Sequence, residues 1–113
     1  GRKQPFYIRP KGTDLFGLAG ITELWKGPEG PVRTVSLITT EPNELMRTIH
    51  DRMPVIIPAD DYGAWLDPEN QDINGLKKFI RSFPAELMTA FPVSTRVNNA
   101  RNEGEELVEA EGV

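Results

Sequence analysis

A proton-transfer group and a phosphate-binding cation lie two residues apart in the middle of this sequence. His50 is the only histidine among the 113 residues, and imidazole is the side chain that exchanges protons most readily near neutral pH. Arg52 carries a planar guanidinium whose donors match two phosphate oxygens. Pro54 then prevents a preceding helix from continuing. This combination suits a phosphorylated or nucleic-acid substrate, although a surface turn or helix end without chemistry has the same residue pattern.

Thr39 adds a hydroxyl to the same region. It ends a predicted strand, eleven residues before His50, and could donate to a phosphate or sugar oxygen. Threonine is also common in strands for packing reasons alone. Arg52 has an alternative of the same kind, a surface ion pair with Asp51 or Glu44.

Apolar and amide side chains could extend this site. Met53 and Pro54 could form a shelf beside a base or sugar, and core packing explains them equally well. Trp25 could stack on a base, whereas the helical spacing around Trp65 favours the core. Asn98 lies in a polar cluster that could reach a phosphate, or it could hold a turn through bonds to the backbone.

Composition excludes several kinds of site. The sequence has no cysteine, so disulfides, thiolate zinc sites and cysteine nucleophiles cannot be built from these residues. One histidine makes a histidine-based metal site unexpected, and no cofactor is predicted. The net charge of −4 argues against a general nucleic-acid binder. Residues 1–54 nevertheless carry eight Lys/Arg against six Asp/Glu, while residues 55–113 carry five against eleven, so a local basic face is compatible with the sequence.

The ends of the sequence bear on location. No signal peptide or stretch long enough to cross a bilayer is recognised, so no membrane partner is expected. A cytoplasmic protein or fragment is predicted, nucleoid-associated if it is bacterial. Residues 103–113 hold five glutamates and are interpreted as a solvated or disordered acidic tail.

Residue patterning predicts several strands in the first part of the chain. Residues 4–9 are aromatic and β-branched and predict a short strand. Residues 16–25 predict a buried strand whose glycines allow close approach of another backbone. The Gly/Pro composition of residues 26–31 indicates a loop. Residues 32–40 predict a second strong strand, and the two strong strands are expected to form an antiparallel hairpin.

Short helices and two further extended segments follow. A helix is predicted to open within residues 40–44, where Thr40 or Asn43 could cap it, and to end at His50. Residues 55–58 predict a short strand, and residues 60–66 and 71–79 predict helical segments. Residues 86–97 are expected to be extended around a proline. The fold class is therefore α+β, with a β-rich mixed or antiparallel core and short peripheral helices.

These blocks together resemble the SOS-response-associated peptidase (SRAP) family, which shields abasic sites in single-stranded DNA. The resemblance covers essentially the whole chain and rests on residues 3–8, 16–20, 36–40, 49–55, 65–66, 92–94 and 97–98. It implies that residues 1–102 are the C-terminal part of a single SRAP-like domain, followed by the acidic tail at 103–113. The family's reactive N-terminal cysteine, an asparagine and a glutamate belong to an N-terminal half that this chain does not contain.

The resemblance also implies a chemistry. In the family, the amine of the N-terminal cysteine attacks the aldehyde of a ring-opened abasic sugar, and its thiol closes a thiazolidine that crosslinks protein to DNA. His50 matches the family's acid–base histidine. Thr39 matches a site threonine, and Arg52, Met53, Pro54 and Asn98 are the further expected DNA contacts. The expected partners are single-stranded DNA with abasic sites and the missing N-terminal half.

Other functions are compatible with the residues. The family resemblance implies an autopeptidase and crosslinking protein, and this stretch alone is expected to be inactive. An alternative is a non-catalytic structural or interaction module. A hydrolase that pairs His50 with the hydroxyl of Ser36 or Thr39 is a third hypothesis, although no nucleophile elbow is visible.

Overall fold

The structure is a computed structural model that describes residues 3–111. Residues 1, 2, 112 and 113, which end the predicted domain and tail, lie outside the described residues. Eight strands form four two-stranded antiparallel ladders: β1 (Phe6–Pro10) with β8 (Met88–Pro92), β2 (Gly17–Leu18) with β7 (Ile56–Ile57), β3 (Gly20–Gly27) with β4 (Gly30–Leu37), and β5 (Thr39–Thr40) with β6 (Met53–Pro54). Two short α-helices within the described residues, α1 (Tyr62–Leu66) and α2 (Ile73–Leu76), lie between β7 and β8 in the sequence. The α+β prediction with antiparallel strands and short helices is confirmed.

The chain divides into two compact units. The first comprises its two ends, described over residues 3–12 and 86–111. The β1–β8 ladder holds it together, and the rings of Tyr7 and Phe91 pack 5.4 Å apart on paired positions. Met88 and Val93 are buried there. The acidic run contains a 3₁₀ turn (Glu105–Val108), and the Glu111 amide donates to the Pro92 carbonyl at 2.8 Å.

The second unit, Thr13–Ala85, is built around a ring of three backbone hydrogen bonds. The Ala19 amide donates to the Val55 carbonyl at 2.8 Å, the Val55 amide to the Ile38 carbonyl at 2.9 Å, and the Ile38 amide to the Ala19 carbonyl at 2.9 Å. Each residue lies in the single-residue gap between two consecutive strands, so this ring joins the three ladders of the unit at one point. Ala19 and Val55 are buried with Ile57, and Ile38, Tyr62, Trp65 and Phe79 pack against them.

The predicted hairpin is present, but its expected loop and burial are wrong. Residues 26 and 27 belong to β3, and residues 30 and 31 belong to β4. Only a two-residue turn remains, because Gly30 takes a φ of +118° that an L side chain rarely adopts. The strand predicted as buried over residues 16–25 is largely exposed from Ile21 onwards, since no other described element covers the hairpin. The predicted close approach of another backbone occurs at Gly20, where a Cβ would lie 3.4 Å from the Ser36 carbonyl oxygen. At Gly17 the close neighbour is instead a side chain, the Tyr62 ring, at 3.1 Å.

The helix predicted over residues 40–50 is shorter than expected. Thr40 is in β5, and only a 3₁₀ turn (Met46–Thr48) forms before His50. The extended prediction for residues 86–97 holds for β8, after which the chain turns into a 3₁₀ segment (Thr95–Asn98). Further 3₁₀ turns at Ala59–Asp61, Lys77–Phe79 and Ala85–Leu87 complete the elements. None of the helices within residues 3–111 has the length and apolar character needed to cross a membrane.

Val55→Ala is expected to lower the free energy of unfolding by about 2 to 3 kcal/mol. Val55 is 0% exposed, and its truncation removes about two buried carbon groups worth about 0.8 kcal/mol each and leaves a cavity. Val35→Ala is the matched control, because Val35 is 67% exposed and should cost less than about 0.5 kcal/mol. Urea denaturation of both variants measures the difference, and equal losses would contradict a core centred on Val55.

Candidate functional site

Arg52 and Thr39 form the clearest polar contact of the second unit. Arg52 Nη2 donates to the Thr39 carbonyl at 2.8 Å and to its Oγ1 at 3.1 Å, and Nε lies 3.3 Å from the same Oγ1. Both residues are exposed. The antiparallel pairing of Thr39 with Pro54 sets this contact, because it brings the start of β5 beside the end of β6. The edge of the guanidinium that carries Nε and Nη2 is therefore held by Thr39, while Arg52 remains at the surface.

His50 lies directly beside this pair. Its Nδ1 accepts from the Arg52 backbone amide at 3.1 Å and lies 3.1 Å from Oδ1 of Asp51. The first contact needs a lone pair on Nδ1 and the second needs a proton there, so the ring makes one contact or the other according to which nitrogen carries the proton. The His50 side chain is 66% exposed and that of Asp51 is 91% exposed. The imidazole is accordingly open to a substrate.

The exposed groups are carried by buried neighbours. Met53 follows Arg52 and is 1% exposed, and Val55 closes the hydrogen-bonded ring. The Met53 sulfur accepts from the Asn43 amide at 3.3 Å. The Met53 side chain therefore packs inside the unit, which agrees with the alternative that it serves core packing. Pro54 is half-buried.

Asn43 is a supporting residue that the sequence indicated only as a possible helix cap. Its Oδ1 accepts from the Met46 amide at 2.9 Å, and its Nδ2 donates to the Phe83 carbonyl at 2.6 Å. The side chain thus ties the turn that leads to His50 to a segment forty residues away in sequence. An asparagine three residues before a helical turn is the sequence signal for the first bond. The second bond depends on tertiary structure.

Asn98 lies in the first unit, apart in sequence from the other candidates. It is exposed and ends the 3₁₀ segment Thr95–Asn98. The side chains that hold this region are its neighbours: Asn99 accepts from the Arg101 amide at 3.0 Å, and Asn102 donates to the Arg96 carbonyl at 2.8 Å.

Elsewhere in the described residues the structure has an apolar pocket but no cluster of metal ligands. An apolar pocket of about 350 Å³ lies between β2 and α1, with Phe16, Leu18 and Leu66 in its wall and the phenol of Tyr62 and the indole of Trp65 as polar groups. It offers no acid–base pair. Nowhere within residues 3–111 do three His, Cys, Asp or Glu side chains come together as metal ligands would.

The sequence matches the profile of one protein family. Residues 1–100 match SOS response associated peptidase (SRAP). A protein named abasic site processing protein YoqW, from Bacillus subtilis, is 44% identical over 96% of this chain and 49% of its own length. The protein of that type named YoaM, from the same organism, is 43% identical over 96% of this chain and 48% of its length. The chain therefore spans about half the length of these curated relatives.

More distant relatives and a solved structure agree. Abasic site processing protein HMCES from Gallus gallus is 38% identical over 82% of this chain and 28% of its own length. A crystal structure of a protein from Bacteroides thetaiotaomicron superposes with a TM-score of 0.85 at 28% identity, over 96% of this chain and 49% of that one. The similarity extends over both units and carries the α+β fold.

Asn43→Ala is expected to destabilise the protein by about 1 to 3 kcal/mol, because it leaves a backbone donor and a carbonyl without their partner. Asn74→Ala is the matched control, since Asn74 is an exposed asparagine on α2. Thermal unfolding of the two variants gives the comparison. A loss for Asn43→Ala no larger than for Asn74→Ala would mean that these bonds do not hold the turn.

Proposed function

The chain belongs to the SRAP family, and we propose that it is the half of an abasic-site processing protein that carries the acid–base and phosphate-binding groups. The substrate class is single-stranded DNA with an abasic site. Two relatives that are 44% and 43% identical to this chain carry this activity in their names. The complete activity requires a cysteine at the N-terminus of the domain, and this chain has none. The partner is therefore the N-terminal half of the domain.

One observation carries this proposal. The Arg52 guanidinium is held by Thr39, and the exposed imidazole of His50 is bonded to the backbone amide of Arg52. A phosphate bound at Arg52 would place the adjoining sugar within reach of an acid–base group. Two residues on one short connection, Arg52 and His50, would thus bind the DNA backbone and act on the sugar.

His50 is proposed as the acid–base catalyst. The amine of the N-terminal cysteine adds to the aldehyde carbon of the ring-opened sugar, and the carbinolamine loses water to give an imine. The thiol then adds to the imine carbon and closes the thiazolidine, so one water is released overall. His50 would protonate the departing hydroxyl and take up a proton from the attacking groups. With Nδ1 accepting from Arg52, the neutral ring carries its proton on Nε2.

The other site residues have supporting roles in this proposal. Arg52 binds a phosphate with the donors that Thr39 does not occupy, and Thr39 orients it. Pro54 fixes the backbone after the site. Buried Met53 supports the site from inside the unit. Asn98 remains a proposed contact to the DNA backbone from the first unit. Release of the initiator methionine by autoproteolysis, as the family name suggests, would expose the cysteine amine.

A half-domain or interaction module without chemistry of its own is the second candidate. The observation in its favour is the amount of apolar surface that the hairpin of β3 and β4 leaves exposed. This surface suits a binding role whether or not His50 is catalytic. A measurement of crosslinking activity therefore distinguishes the two candidate functions, whereas a measurement of complex formation does not.

Crosslinking tests the proposal directly. The chain is mixed with the N-terminal portion of Bacillus subtilis YoqW that lies outside the match, then with an oligonucleotide bearing one abasic site. We expect a protein–DNA adduct that survives denaturation in the intact mass, loses one water relative to the summed masses and is absent with undamaged DNA. Persistent absence of adduct from an assembled complex would favour the non-catalytic candidate.

His50→Gln is expected to slow adduct formation by about 100- to 10,000-fold, the usual contribution of a positioned acid–base group. Asp60→Asn is the control at an exposed position of the same unit and should change the rate far less. Single-turnover rates from quenched denaturing gels measure both. A normal rate with His50→Gln would remove His50 from the chemistry.

Arg52→Ala is expected to weaken DNA binding at every sequence and to reduce the slope of log affinity against log salt by about 0.7, the value for one phosphate contact on a single strand. Arg81→Ala, which removes another exposed arginine of the same unit, is the control and should leave the slope unchanged. Fluorescence anisotropy of the assembled protein at several salt concentrations gives the slopes. Equal slopes for Arg52→Ala and the unaltered protein would contradict the phosphate role.

A further inference from the structure

A second exposed arginine, Arg47, lies on the turn that leads to His50. It belongs to the 3₁₀ turn Met46–Thr48. The His50 amide donates to the Met46 carbonyl at 2.8 Å, so the turn continues as far as His50. Residues three apart on a helical turn are neighbours on its surface, with Cβ atoms about 5 to 6 Å apart. Arg47 is therefore a neighbour of the imidazole.

The backbone that carries Arg47 is held in place on both sides of the turn. The Arg47 amide donates to the Asn43 carbonyl at 2.9 Å. The Asn43 side chain is bonded in turn to the Met46 amide and the Phe83 carbonyl. Met46 itself is buried. The Arg47 side chain thus starts from a fixed point beside His50.

Arg47 and Arg52 are each anchored to a carbonyl of the same short stretch. Arg52 Nη2 donates to the Thr39 carbonyl at 2.8 Å, and Arg47 Nη2 lies 3.4 Å from the Pro42 carbonyl oxygen. Three residues of fully extended chain span at most about 11 Å, so the two anchoring carbonyls are no further apart than that. Within residues 3–111, Nη1 of each arginine has no hydrogen-bond partner. Both guanidinium groups can therefore still bind an external anion.

Neither arginine is neutralised by a carboxylate. In the part of the chain that the structure describes, Asp51 contacts His50, and no Asp or Glu forms an ion pair with Arg47 or Arg52. The net charge of −4 gives the chain no general attraction for DNA. Two guanidinium groups close to each other thus favour a ligand with two suitably spaced anionic groups over a single anion.

A strand of DNA with an abasic site is a ligand of this kind. The abasic nucleotide has no base, so neither stacking nor bonds to a base edge can orient it. The groups that remain are its sugar and the phosphates on its two sides. A single phosphate contact lets the strand rotate about that contact, whereas two contacts fix the sugar between them. Fixed orientation of the reacting group is itself a large contribution to rate.

We propose that Arg47 is a second phosphate-binding residue, which together with Arg52 holds the two phosphates that flank the abasic sugar. The inference rests on the proposed function and adds the ligand of the second phosphate. Arg47 is a positioning residue, because it binds the strand while His50 transfers protons. Its contact with Pro42 is long for a hydrogen bond and can be exchanged for a charge-assisted bidentate contact to phosphate.

The test measures binding without chemistry. The oligonucleotide carries a tetrahydrofuran analogue of the abasic site, which has no aldehyde and cannot crosslink. Fluorescence anisotropy follows its binding to the chain assembled with the N-terminal portion of YoqW. Arg47→Ala should reduce the slope of log affinity against log salt by about 0.7, and the double variant with Arg52→Ala should reduce it by about 1.4. Arg47→Lys keeps the charge and should keep the slope, as should the control Arg81→Ala.

Uncharged linkages identify which phosphate each arginine binds. One oligonucleotide has a methylphosphonate on the 5′ side of the analogue, and a second has it on the 3′ side. The affinity lost through Arg47→Ala should vanish with one oligonucleotide and persist with the other. Arg52→Ala should show the opposite pattern, because a variant loses nothing where its partner is already absent. A loss that persists with both oligonucleotides, or an unchanged salt slope, would overturn the role of Arg47.

Thermal unfolding separates phosphate binding from a role in the turn alone. Arg47→Ala should unfold at the temperature of the unaltered protein, since the side chain is exposed and its contact with Pro42 is long. A lower unfolding temperature together with an unchanged salt slope would assign Arg47 to the turn and overturn the proposal.

This inference and the proposed function fail separately. An unchanged slope for Arg47→Ala, with normal crosslinking to a natural abasic site, would overturn the second phosphate contact and leave the proposed function in place. A reduced slope for Arg47→Ala, with no adduct from the unaltered protein, would overturn the chemistry and leave Arg47 as a DNA contact. No binding of the analogue by the assembled protein would overturn both.

Discussion

A closed ring of three backbone hydrogen bonds joins the strands of the second unit. Ala19, Ile38 and Val55 each donate once and accept once within it. Buried amides and carbonyls need partners, and these three residues fall in the gaps between ladders, where ordinary strand pairing would leave them unpaired. The ring therefore lets three segments of the chain meet at one point. Strands of two residues would otherwise have little to hold them in register.

The candidate site follows directly from that junction. Thr39 comes one residue after Ile38, and β6 runs from Met53 to Pro54 just before Val55. The buried ring thus fixes the two backbone segments on which the Thr39–Arg52 contact and His50 are carried. The side chains remain exposed, because strand alternation and the turn after Ile49 direct them away from the core. A rigid base with open reactive groups suits a large substrate such as DNA.

The hairpin of β3 and β4, in contrast, has regular strands whose apolar side chains are exposed. Its strands are long, its register is regular, and its sequence is apolar on both faces, yet no described element covers it. The apolar side chains around Val55 are buried within residues 3–111, whereas those of the hairpin are exposed there. One unit thus holds two kinds of apolar side chain: buried ones that support the site, and exposed ones along the hairpin.

Local signals in the sequence were sufficient to predict the hairpin, most of the other strands and the residues able to do chemistry, because strand patterning, turn composition and a single histidine close to an arginine can be recognised without the fold. They did not predict the two-residue strand Met53–Pro54 or the shortening of the loop at 26–31 to a two-residue turn, which is accompanied by a positive φ at Gly30. The sequence left open whether Arg52 pairs with an acid, and the pairing of β5 with β6 gave it Thr39. The sequence also did not predict which apolar residues are buried. Met53 and Leu24 are both apolar strand residues, and only tertiary packing buries the first and leaves the second exposed.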